Sequence, residues 1–138
     1  MDLPPLYADG GQKVYRCTVK VNNPHPSQAE LKKGRVSVVG KAQVSCPNAG
    51  KTLKVYVQGY LARSTSYNKK NLRIVDSNAG TLVIKPGKTG TLMVPPPKST
   101  AHYKGGYWYR MSVSARIVGE SRIAPIGAKA SGMVWVKN

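Results

Sequence analysis

The residues able to do chemistry in this chain are few and scattered. Its carboxylates are Asp2, Asp9, Glu30, Asp76 and Glu120, and its imidazoles are His25 and His102. Hydrolytic and metal-assisted mechanisms bring two or three such groups into one pocket, and groups this sparse point away from them. His25 stands between two prolines and His102 precedes Tyr103-Lys104-Gly105-Gly106. Neither has further ligands nearby, so both read as turn histidines, with no metal site and no cofactor expected. Ser64, Ser66 and Ser99 lack the base–acid pair that activates a nucleophile. Gly50-Lys51-Thr52 and Gly87-Lys88-Thr89 have Ser45 and Leu82 where a phosphate-binding loop needs its first glycine, and no helix follows either. Both triplets read as β-turns entering strands. The chain is not expected to be an enzyme.

What remains is electrostatic chemistry. The 138 residues include 22 Lys+Arg against 5 Asp+Glu, a formal net charge of +17. That excess goes beyond what solubility asks and implies an anionic partner. Lys32, Lys33 and Arg35 cluster in one place, and Lys69, Lys70 and Arg73 in another. Arg110 closes the Tyr-Trp-Tyr-Arg run that begins at Tyr107. With Tyr56 and Trp108 as an aromatic platform, rings can stack on sugars or bases while cations meet phosphates or carboxylates. The expected anion-binding set is therefore Lys32, Lys33, Arg35, Lys69, Lys70, Arg73 and Arg110.

Strands must position these groups. No segment holds a 3.6-residue apolar period; short alternating runs rich in Val, Ile, Thr and Tyr are broken by Gly, Pro and Asn. Strands are predicted over 14–21, 35–46 (with a bulge at Gly40), 52–62, 72–75, 80–84, 90–94, 107–118 and 129–136. In 107–118, Tyr109, Met111, Val113, Ala115 and Ile117 alternate with Trp108, Arg110, Ser112, Ser114 and Arg116. The pattern predicts an all-β chain, a single Ig-like β-sandwich of seven or eight antiparallel strands, with a small Greek-key barrel as the alternative. Residues 13–138 form this one domain, preceded by an extended N-terminal arm, 1–12, too poor in apolar residues to fold alone. Such an arm fits a homo-oligomer or larger assembly in which a neighbouring subunit pins it.

Cys17 opens the first predicted strand and Cys46 closes the second, both on the core face. In an antiparallel pair those ends are neighbours, so the two thiols can meet as a disulfide; two unpaired buried cysteines are the other reading. A bridge there implies an oxidising compartment. No run approaches the roughly 18 apolar residues that would span a bilayer, so no transmembrane segment is expected. Met1-Asp2-Leu3-Pro4-Pro5 has neither the basic nor the apolar region of a signal peptide, which fits a cytoplasmic protein or a mature, trimmed start.

Cys17-Thr18-Val19, then Asn23-Pro24-His25-Pro26-Ser27, then a strand ending Val44-Ser45-Cys46, resembles a group of small secreted actinobacterial β-sandwich proteins. Their mature chains open with a Cys-Thr-Val strand, a Pro-His turn and a second strand ending Val-x-Cys. The resemblance implies a disulfide and secretion, and brings no activity. This chain departs from it in lacking further cysteines and in being far more basic. Two functional expectations follow. One is a non-catalytic, secreted module that binds anionic envelope polymers or surfaces. The other is a structural subunit, such as a virion coat or decoration protein or a filament protomer, whose basic surface meets nucleic acid or an acidic shell.

Overall fold

A computed structural model describes residues 6–8, 12–14, 17–47, 49–119 and 127–138, with side chains from residue 17 onward. Two three-residue strands, β1 (Leu6–Ala8) and β2 (Gln12–Val14), pair antiparallel with Leu6 opposite Val14. The other positions of the 1–12 arm lie outside the described residues.

Two antiparallel sheets make an all-β sandwich. The smaller holds β3 (Thr18–Val21), β4 (His25–Pro26), β5 (Val38–Ser45) and β8 (Thr89–Val94), with β5 central: β3 and β4 pair along one side of it and β8 along the other. The larger has β6 (Leu53–Ser64) and β9 (Tyr107–Ile117) at its centre and β7 (Arg73–Ile84) on one edge. Its other edge is shared by β10 (Gly127–Ala130) and β11 (Val134–Val136), which pair with successive halves of β9. A four-residue helix, α1 (Gln28–Leu31), capped by Ser27, connects β4 to β5. Successive crossings between the sheets, β5 to β6, β7 to β8 and β8 to β9, produce the Greek-key order of an Ig-like sandwich.

No closed barrel forms among the described residues. At both open sides a side chain reaches across where a ladder would be needed. Asn78 Nδ2 donates to the Met93 carbonyl at 2.9 Å, and Lys129 Nζ donates to the Val19 carbonyl at 3.2 Å.

Period-two alternation builds the core. Val19 of β3, Ala42 and Val44 of β5, Leu53, Val55, Val57 and Leu61 of β6, and Tyr109, Met111 and Val113 of β9 are all buried. Each such aliphatic side chain stabilises the fold by about 1.5–3 kcal/mol relative to exposure. Tyr109 adds a tether: its hydroxyl donates to the Lys104 carbonyl, 2.5 Å away and five residues upstream. A tyrosine so placed near the start of this strand is the corner motif of Ig-like sandwiches.

The strand reading needs three corrections. The runs predicted at 72–75 and 80–84 are one continuous strand, β7, because β6 supplies a partner over its whole length. The single run at 129–136 is two strands, since Ser131 leaves the ladder: its Oγ accepts from Met111 N–H while its own N–H donates to the Met111 carbonyl. Gly40 carries no bulge and pairs with Val94 in unbroken register. Its lack of a side chain has a packing cause, since Met111 Sδ lies 2.6 Å from where a Cβ would stand. The register shift of this sandwich sits instead at Leu61/Ala62 of β6.

The two cysteines are joined in a disulfide. Thr18 pairs with Ser45, so Cys17 and Cys46 extend the β3–β5 ladder by one position. Among the described residues, no helix is long and apolar enough to cross a membrane.

Candidate basic–aromatic face

The outward side of the larger sheet is built by alternation along β6 and β9. Register sets Tyr56 beside Arg116, Gln58 beside Ser114, Tyr60 beside Ser112, Ala62 beside Arg110 and Ser64 beside Trp108. Residues that pair directly share a face, so these positions lie on the side of the sheet away from the core, with Ala62 and Ser64 buried there. Tyr56 and Trp108 therefore lie on one face but at opposite ends, about 27 Å apart for eight residues of strand.

At the Tyr56 end, the Arg116 guanidinium lies 5.0 Å from the Tyr56 ring centroid. At the other end three rings gather. Tyr67 meets Trp108 edge-on at 5.0 Å, and Trp135, paired with Trp108 across β9 and β11, meets it at 5.7 Å. Tyr67 and Trp135 remain 65% and 50% exposed, so each offers a free surface to a ligand. Beside them Tyr67, Asn68, Lys69, Arg110, Ser131, Gly132 and Met133 line a cleft of about 440 Å³. Arg110 Nε is buried without a hydrogen-bond partner, a donor that an anion in the cleft would satisfy.

The 65–72 loop that supplies Tyr67 and Lys69 is folded over the sheet end by local bonds. Ser64 Oγ donates to the Lys70 carbonyl and accepts from Ser66 N–H, while Asn68 Oδ1 accepts from Lys70 N–H at 3.2 Å. Lys69 and Asn71 take positive φ, 67° and 61°, so the loop is held in a conformation that side chains seldom adopt. Ser64 thus has a structural task.

The predicted residues separate into groups. Lys69, Arg110 and Trp108 come together at this end, with Lys70 on the same loop. Arg73 sits close by but pairs with Arg63, which belongs to the inward side with Tyr109. Lys32, Lys33 and Arg35 follow α1, where Glu30 binds Arg35 at 2.6 Å and Lys33 at 3.6 Å, so part of that charge is already matched. Sequence reasoning missed Trp135 and Arg63 as site residues. Nothing local marks them; only strand register brings them there.

Described carboxylates stay away from this face. Glu30 is held as above, and Asp76 pairs with buried Leu61 on the inward side, where its Oδ2 accepts from the Tyr103 hydroxyl at 2.6 Å. Among the described residues no three His, Cys, Asp or Glu side chains gather as a metal site would require. His25 stands in the two-residue strand β4, opposite Val39, rather than in a turn, with Nδ1 3.1 Å from the Asn23 carbonyl. His102 Nδ1 lies 3.4 Å from Ser37 Oγ in the segment before β9.

No family model and no curated protein sequence matches this chain. Among solved structures, it is similar to the sporulation control protein Spo0M of Bacillus subtilis, at 12% identity and a TM-score of 0.39 over 88% of this chain. The chain spans about half of Spo0M, 49%. It is also similar to a Bordetella pertussis protein described as ApaA, at 16% identity and a TM-score of 0.46, over 87% of this chain and 95% of that one.

Proposed function

We propose that this chain is a non-catalytic, secreted β-sandwich module that binds an anionic polymer or surface of a cell envelope through the outward side of its larger sheet. The observation that carries this reading is the composition of that face. Arg116, Arg110 and Lys69 alternate with Tyr56, Tyr60, Trp108, Tyr67 and Trp135, and no described carboxylate stands among them. Cations there retain their full attraction for an outside anion, and rings beside them add stacking area to a sugar or lipid headgroup. The Cys17–Cys46 disulfide supports maturation in an oxidising compartment. The resemblance of its strand pair to secreted actinobacterial proteins points the same way.

Titration calorimetry of the full chain against teichoic acid, with neutral dextran as control, tests the reading. Binding to teichoic acid alone is expected, weakening markedly between 50 and 200 mM NaCl as exposed charges are screened. Trp108→Ala and Arg110→Gln should each weaken it about tenfold, the scale of one lost charge-assisted bond or one buried ring. Lys33→Ala should change it little, because Glu30 already engages that charge. Equal affinity for dextran, or indifference to both face substitutions, overturns the proposal. Tighter binding to duplex DNA than to teichoic acid reassigns the partner to nucleic acid.

A further inference from the structure

Arg63 and Arg73 face each other directly across β6 and β7, the last pair of that ladder. Two like charges at one cross-strand position destabilise a sheet unless something lies between them. Arg63 meets the Tyr109 side chain and the Tyr107 ring, but no carboxylate among the described residues lies between the two arginines. Among the described residues the ion pairs are those of Glu30, and neither arginine has a carboxylate within pairing distance. Instead both line one cleft of about 280 Å³, together with Ser64, Thr65, Asn71 and Tyr107. Its walls are therefore two guanidinium groups, hydroxyls and an amide.

The cleft is also pre-shaped. Arg63 is half-buried, with its guanidinium 4.3 Å from the Tyr107 ring centroid, which fixes the planar group before any ligand arrives. Asn71, on the opposite wall, holds a left-handed φ of 61°. Strained backbone of this kind persists where the surroundings over-determine it, and it gathers at binding sites.

We propose that this cleft binds a phosphate-type oxyanion, with Arg63 and Arg73 as forked donors and Thr65 and Asn71 completing the shell. Guanidinium forks match the geometry of a phosphate, and its charge of about −1.5 to −2 near pH 7 matches two arginines. Arg63 and Tyr107 alternate with the outward Arg110 and Trp108, and this cleft shares no lining residue with the one beside Arg110, so it does not rest on the polymer reading.

The test uses the full chain with inorganic phosphate, methyl phosphate and, as a monoanion control at equal ionic strength, chloride. Amide NMR shifts confined to positions 63–65, 71–73 and 107, saturating with phosphate and absent with chloride, are expected. Arg73→Gln, at an exposed position, should weaken phosphate binding about tenfold to a hundredfold, the range for one hydrogen-bonded charge. Arg63→Lys, which keeps the charge and loses the fork, should weaken it to a lesser degree. Methyl phosphate binding as well as the free ion assigns the site to a phosphorylated end group; preference for the free ion assigns it to inorganic phosphate. Trp108→Ala should leave phosphate binding intact, which separates this site from the polymer face. Absence of saturable phosphate binding, or binding that survives both arginine substitutions, overturns the assignment.

Discussion

A single hydroxyl, that of Tyr103, ties the loop before β9 to the edge strand β7. It lies 3.0 Å from the Val75 carbonyl and 2.6 Å from Asp76 Oδ2. Burial pushes its pKa from 10.0 up to about 12; the hydrogen bond to Asp76 and that carboxylate's charge add to the rise, while Arg63 opposes it. Burial also raises Tyr109. A group whose folded pKa is raised stabilises the fold fully below its unfolded value and loses that contribution as pH climbs through the folded value. Unfolding midpoints in urea should therefore fall between pH 10 and about 12. Tyr103→Phe should flatten part of that fall, since no phenol remains to ionise. An identical slope in wild type and Tyr103→Phe would show that other groups govern it. Tyr103 is visible in sequence as an amphipathic ring, but its partner, 27 positions away, is not.

At the scale of elements, the apolar alternation of β3, β5, β6 and β9 was readable because one side of each faces the core. Polar turn-formers obscured β7: Asp76, Ser77, Asn78 and Gly80 resemble a loop, yet as a mostly exposed edge strand it needs few apolar positions. The Cys17–Cys46 pairing was legible for the same reason as the strands, since adjacent antiparallel ends must meet. β3 is only four residues long, so little besides its ladder and the bridge holds it to β5. A cross-link at a sequence separation of 29 restricts the unfolded chain by about 3–4 kcal/mol in the loop-entropy model. Cys17→Ser/Cys46→Ser should lose stability on that scale in denaturant titration, with wild type plus reductant losing a similar amount. A loss under about 1 kcal/mol would mean that β3 docks without its tether.

For the molecule as a whole, the charge of +17 acts in two opposed ways, and added salt separates them. Cations crowded on one small sandwich repel one another in the free protein, which weakens the compact state. Screening over about 10 Å at 0.1 M ionic strength relieves that repulsion. Thermal midpoints of the free chain should therefore rise as NaCl increases from 10 to 300 mM, even as affinity for a polyanion falls. A polyanion at low salt should raise the midpoint further, because it binds the folded arrangement of cations and rings better than the unfolded chain. The first effect needs only the net charge and the compactness of the folded chain, which brings the cations closer together than they are when it is unfolded. The second depends on an arrangement that register creates, with Arg110, Lys69 and three rings at one sheet end and the carboxylate of Asp76 turned inward. Arg110→Gln with Lys69→Gln should thus abolish most of the polyanion's stabilisation while leaving the NaCl effect nearly whole. If instead both effects shrink together in proportion to the charge removed, the partner responds to net charge and the outward face has no special part in binding.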